Sequence, residues 1–371
     1  MQIFALILGI FLIATILLDA FETIVLPRTV RRAVRLTTGY FWLMSIAYTR
    51  LGGMRKCPRR QTILNGFAPM MLIGLIGLWA LSMIVGFALI LYGAGQPLVT
   101  SQSMGGFEEV LYFSGVTFFT LGFGDVIPSS GVGRLLSVCE AGVGFGFLAL
   151  IIAYIPVIYS AFSRREIQML LLDSKAGSEP TATELLRRHG AAKAMPALTE
   201  MLKDWERFSA ELLEAYLSYP VLAYYRSQHD DQSWLRSLTA IMDVCALIEA
   251  GFEGEPEWEC ALCFQAQATF AMARHVVVDL AYILNALPQM PAGDRLTPDG
   301  FRAICEVLKS SGLSLNQTEK SQASIRETRA LYEPFVNGLG NELIMDLPNW
   351  FTEEHIKDNW ETTAWDGAKH F

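Results

Sequence analysis

At 371 residues the chain is long enough for two or three domains, and its 52% hydrophobic content is spread unevenly. Residues 1–162 hold every long uncharged run, with six acidic and ten basic side chains; residues 163–371 hold thirty-one acidic and nineteen basic ones and have the composition of a soluble helical protein. A second half this acidic argues against nucleic acid as a partner. The six cysteines, Cys57, Cys139, Cys245, Cys260, Cys263 and Cys305, are scattered and read as thiols rather than a disulfide framework.

In chain order, residues 1–26 read as a transmembrane helix, with neither the basic start nor the small-residue cleavage site of a leader. Asp19 and Glu22 near its end each cost about 2.5–3.5 kcal/mol at a bilayer centre and less near the interface, and are expected to pair with neighbouring arginines. Residues 27–64 form a basic linker. Arg28, Arg31, Arg32, Arg35, Arg50, Arg55, Lys56, Arg59 and Arg60 lie there with no acidic residue between them. By the positive-inside rule this linker is cytoplasmic, which places the N-terminus outside. The stretch 28–60 faces anionic lipid. The spacing Arg28, Arg31, Arg32, Arg35 imitates a voltage sensor but follows the apolar run instead of lying within it. Tyr40 to Tyr48 reads as an interfacial helix.

Two further spans follow, 67–92 and 135–162. Between them, 107–119 has the pattern of a short helix, with Glu108 and Glu109 in the first turn where the helix dipole favours them. It leads into Thr120-Leu121-Gly122-Phe123-Gly124-Asp125. A site that strips water from a cation needs a row of backbone carbonyls on one axis. That row requires alternate residues in conformations costly for anything but glycine, and Gly122 and Gly124 have that spacing. Irregular backbone at membrane depth survives only where protein buries it or water bathes it.

This stretch resembles the selectivity filter of potassium channels, with Phe123 where many members carry tyrosine. The resemblance covers roughly 67–165, as a two-transmembrane-helix pore module of prokaryotic type. It implies an outer helix at 67–92, a pore helix at 107–119, a filter at 120–124 and an inner helix at 135–162. It further implies K+ held at Thr120, Leu121, Gly122 and Phe123, and Asp125 at the outer mouth. Where some relatives support that aspartate with a glutamate on the pore helix, this chain has Val116. One filter per chain implies a homotetramer. Gly144 falls where two-span potassium channels have a hinge glycine.

Glu140, inside the third span, is expensive unless it faces water or a partner. Two readings stand: a ring of carboxylates near the ion cavity, or a hydrogen bond to the back of the pore helix, which its level in the span favours. Gly142, Gly144 and Gly146 permit close packing or bending, and Pro156 is expected to kink the helix near its inner end. Together they suggest an inner-helix gate.

Residues 166–371 read as helices, with periodic stretches near 232–251, 258–287, 299–311 and 319–338. No G-x-G-x-x-G follows a strand, so a Rossmann-type regulatory domain is not expected, nor is a cyclic-nucleotide β-roll. Cys260-x-x-Cys263, His229-Asp230-Asp231 and His275 with Asp279 are candidate metal or redox groups, but helix packing, capping and surface polarity account for them more simply. Arg164, just after the third span, is a candidate lever between the two halves.

The sequence thus predicts an all-α membrane protein: three transmembrane helices, a re-entrant pore helix and filter, and an all-α soluble cytoplasmic domain. The expected function is a K+-selective channel in the plasma membrane, not an enzyme, without cofactors, and modulated by a ligand the sequence does not identify. The alternatives are a weakly selective cation channel, or a membrane-anchored helical adaptor or enzyme with a vestigial pore.

Overall fold

A computed structural model describes residues 1–25, 36–53, 60–100, 106–227, 232–254, 257–291, 293–352 and 358. Seven of the nine basic linker residues (all but Arg50 and Arg60), His229-Asp230-Asp231 and Cys57 lie outside these residues. The chain divides into two compact units, Met1–Ile46 with Ala68–Ser160, and Ala47–Phe67 with Ala161–Phe371.

Among the described residues three helices are long and apolar enough to cross a membrane, α1 (Gln2–Ile24), α3 (Arg60–Gly93) and α5 (Gly131–Ala176), and the first unit holds α1, α3 from Ala68 and α5 up to Ser160. The protein is an all-α membrane protein, with a two-stranded ribbon as its small exception. Glycine sets how closely α1 and α3 meet. A Cβ at Gly93 would lie 2.4 Å from the Leu6 nitrogen, one at Gly86 2.7 Å from Ile13 Cγ1, and one at Gly9 2.6 Å from the Gly86 oxygen. Rising numbers on α1 against falling numbers on α3 make the pair antiparallel. In lipid, backbone approach of this kind replaces the hydrophobic drive as the source of helix association. Ile13, Ile16, Trp79, Met83, Phe87 and Phe118 form the adjoining core.

Asp19 is buried in this interface. Its carboxylate accepts from the Thr37 N–H at 3.1 Å, from the Thr37 hydroxyl and from Trp79 Nε1 at 3.0 Å. The expected arginine partners of Asp19 and Glu22 lie outside the described residues, and the observed donors of Asp19 are neutral. Thr37 begins α2 (Leu36–Gly53), which overruns the expected Tyr40–Tyr48 at both ends. Tyr40 on α2 donates to the Met71 carbonyl at 2.9 Å, and Gly74 makes room for its hydroxyl.

After α3 the chain forms β1 (Leu98–Thr100), the short helix α4 (Phe107–Phe118) and β2 (Val126–Pro128). The strands pair antiparallel, Val99 opposite Ile127. Helix α5 then extends beyond the expected 135–162 at both ends and passes through Pro156 without ending.

The second unit is helical: α6 (Ala182–Ala191), α7 (Met195–Ser218), a 3-10 turn (Pro220–Tyr224), α8 (Trp234–Glu249), α9 (Glu259–Ile283), α10 (Pro298–Ser310), α11 (Glu319–Ala330) and α12 (Glu333–Leu343). Four helices open on side-chain caps. Thr181, Ser233, Thr297 and Thr318 accept from the N–H groups of Glu184, Arg236, Gly300 and Ser321, each worth about 1 kcal/mol. Helix α8 is apolar nearly all round and almost wholly buried, as a central helix must be.

Where one stretch was expected over 319–338, there are two helices. Pro334 sits in the first turn of α12, and the break at Tyr332 places that side chain on α8. There the Tyr332 hydroxyl meets Asp243, which Arg295 Nη2 also reaches at 2.6 Å. Burial pushes the Asp243 carboxyl above its usual range, with Arg295 and Tyr332 opposing that rise. Arg295 and Arg329 both bond Glu333, and their guanidinium groups stack over Trp350 at 5.8 and 5.5 Å.

Tyr48, read from sequence as an interfacial residue, is fully buried in this unit. It donates to the Leu343 carbonyl at 2.9 Å and packs edge-on against Tyr224.

Candidate functional site

Helix α4 ends because its last carbonyls are used by a chain that folds back on them. Phe119 N–H donates to Gly115 at 3.1 Å, Thr120 N–H to Thr117 at 3.0 Å and Leu121 N–H to Val116 at 2.9 Å. Beyond that point the backbone alternates. Thr120, Gly122 and Gly124 have φ of 55°, 59° and 77°, whereas Leu121 and Phe123 between them keep negative φ. A strip in which every second residue is left-handed turns successive carbonyls to one side. The two glycines accept this freely; Thr120 does so at a cost of about 1–2 kcal/mol, offset by its place in the reversal. The sequence marks only the glycines, so the third left-handed residue is a finding of the structure.

Asp125 closes the strip. Its Oδ2 accepts from the Tyr112 hydroxyl at 2.7 Å and its Oδ1 from the Val126 N–H at 3.1 Å. Val116, where some relatives carry a supporting glutamate, cannot bond Asp125; Tyr112, one helical turn earlier, does. Tyr112→Phe should leave the fold intact but speed deuterium exchange at the Leu121 and Val126 amides. Unchanged exchange would show that the bond does not hold the strip. The strip itself is open, with Leu121 56% and Phe123 65% exposed.

Behind the strip, Glu140 of α5 is fully buried and bonded to Ser114 of α4. Ser114 Oγ also lies 2.8 Å from the Ile84 carbonyl of α3. Of the two readings open for Glu140, the structure has the bond to the pore helix. Ser114 carries no sequence signal; it is one serine in an apolar helix. Gly144 meets α4 where a Cβ would be 1.9 Å from the Phe118 oxygen, whereas Gly142 and Gly146 have nothing within 4 Å. The structure gives Gly144 a packing role at the expected hinge position. Pro156 lies inside α5.

The other candidates stay apart from this site. His275 and Asp279 form an exposed pair at 3.2 Å, and no group of three metal-ligating side chains occurs among the described residues. Cys263 turns its thiol toward the Ile248 carbonyl, while Cys260 is exposed. Arg164 was the expected lever, but the neighbouring Arg165 is the buried one. It is 2% exposed, bonded to Tyr216 and the Leu222 carbonyl, paired with Glu166 and stacked on Phe162.

Comparison with known proteins agrees with this geometry. A family model described as "Ion channel" matches residues 74–160. "Protein LctB" of Bacillus caldotenax is 37% identical over 84 residues, covering 20% of this chain and 62% of that protein. The LctB protein of Geobacillus stearothermophilus is 36% identical over the same length. The "Uncharacterized membrane protein YdjJ" of Bacillus subtilis is 21% identical over 191 residues, 51% of this chain and 55% of that one. The chain thus spans between half and two thirds of the length of these relatives. No solved structure matches it. Residues 74–160, which match the ion-channel model, hold α4 and its strip between parts of two membrane-length helices.

Proposed function

We propose that the chain assembles as a four-fold tetramer and conducts K+ passively through the strip Thr120–Gly124. The observation that carries this is the alternation of left-handed backbone at Thr120, Gly122 and Gly124. Four such strips surround an axis with rings of carbonyl oxygens, which replace the water of a dehydrated cation. The exposure of Leu121 and Phe123 in one protomer is the surface that neighbouring copies cover. The basic linker lies on the cytoplasmic side of the plasma membrane against anionic lipid, so the strip opens outward. In this reading the protein is a channel without enzymatic activity or a resident cofactor.

Modulation by the helical unit is part of this proposal. Supporting it, α5 runs from Gly131 to Ala176 and carries Glu140, Gly144 and the buried Arg165. Arg165→Met keeps the bulk of the side chain but removes its bonds to Tyr216 and Leu222. It is expected to leave tetramer size and ion selectivity unchanged while shifting open probability about fivefold or more, the equivalent of one lost bond. Single-channel recording in planar bilayers measures both. An unchanged open probability would remove the helical unit from gating. The channel reading itself is tested by K+ efflux from vesicles holding the purified full chain; no efflux above that of empty vesicles would refute it.

A further inference from the structure

The bond between α4 and α5 has a proton-counting consequence. A serine hydroxyl has one hydrogen to donate. Ser114 Oγ lies 2.8 Å from the Ile84 carbonyl, which can only accept, so the serine hydrogen belongs to that contact. Ser114 Oγ also meets Glu140 Oε1 at hydrogen-bond range. With the serine hydrogen already placed, the hydrogen of this second contact must come from the glutamate. A carboxylate has none to give; a carboxylic acid has one. The other oxygen, Oε2, is buried without a partner, which a full negative charge in an apolar site would not tolerate.

The surroundings agree. Described residues 61–93 of α3 contain no Asp, Glu, Lys, Arg or His. Helix α4 carries Glu108 and Glu109 in its first turn and Tyr112 at its middle, and Tyr112 is bonded to Asp125. Near Glu140, α5 has Arg134, whose Nε turns to the Pro128 carbonyl, and the exposed Cys139. No cationic side chain is bonded to Glu140 among the described residues.

We infer that Glu140 is a proton-bearing carboxylic acid whose O–H, through Ser114, fastens α5 and α3 to the back of α4 and so positions the conducting strip. Loss of the proton leaves two acceptors and one hydrogen. Ser114 must then choose between Glu140 and Ile84, and one of the two helices is released. The flux arm of the test rests on the channel reading; the spectroscopic arm does not.

The infrared spectrum of the full protein in lipid near neutral pH should contain a protonated carboxylic C=O band. That band should be lost in Glu140→Gln and shifted in Ser114→Ala, which removes its acceptor. If the wild-type and Glu140→Gln spectra coincide in this region, the inference is overturned whether or not the protein conducts. In the flux arm, Glu140→Gln retains a donor N–H. It should conduct like the wild type but lose the fall in flux, about fivefold or more, that the wild type shows as pH rises from about 6 to about 10, a span that takes in buried carboxyls. Glu140→Leu, which has no donor, should conduct poorly at every pH. Glu140→Gln behaving like Glu140→Leu, or keeping the wild-type pH profile, would overturn the positioning role.

Discussion

Gly122→Ala is expected to lower K+ flux at least about a thousandfold. Gly122 has φ of 59°, and a Cβ there would meet nothing within 4 Å in one protomer, so the penalty is conformational. An L-residue with left-handed backbone costs roughly 1–2 kcal/mol. In the proposed tetramer four copies place about 4–8 kcal/mol on the pore, and each 1.4 kcal/mol is about a factor of ten. The strip escapes this strain by relaxing to negative φ at residue 122, which turns a carbonyl away from the axis in every subunit. Gly131→Ala, at the start of α5 with open space around it, is the control and should conduct normally. Vesicle flux measured at equal amounts of assembled protein separates loss of conduction from loss of folding. Undiminished flux in Gly122→Ala would place the ion path elsewhere.

Gly144→Ala has the larger effect on assembly. The added methyl would lie 1.9 Å from the Phe118 oxygen and 2.8 Å from its carbonyl carbon, and both neighbours are backbone atoms that no rotamer change can move. Overpacking ordinarily costs about 1–3 kcal/mol; here α5 must part from α4, so a cost at or above the top of that range is expected. Gly142→Ala and Gly146→Ala fill empty space, and each improves helix propensity by up to about 1 kcal/mol. Thermal unfolding in detergent should therefore show a marked fall for the first variant and none for the other two. A flexible hinge would give a different pattern, with stability little changed at all three positions and open probability altered at Gly144. Equal stability of Gly144→Ala and Gly142→Ala would contradict the close contact.

The three spans, the short helix and the alternating glycines were legible because each is written locally, as an uncharged run, an acidic first turn or a two-residue repeat. What escaped the sequence depends on residues far apart in the chain. Asp19 finds Trp79 and Glu140 finds Ser114 only once helices cross. The bond of Tyr112 to Asp125 depends on how the chain reverses after α4. Tyr48 sits among aromatic and apolar residues that match a membrane interface, and only the helical unit reveals its burial. The break at Tyr332 was hidden because periodicity continues across it, while the buried Asp243 that receives the tyrosine lies on another helix.

The most direct test of the central claim is the reversal potential of the purified full chain in a planar bilayer, with K+ on one side and Na+ on the other. A current that reverses close to the K+ equilibrium potential, and shifts with it when the gradient is changed, is the predicted result. A reversal potential that stays near zero and ignores the K+ gradient would contradict it.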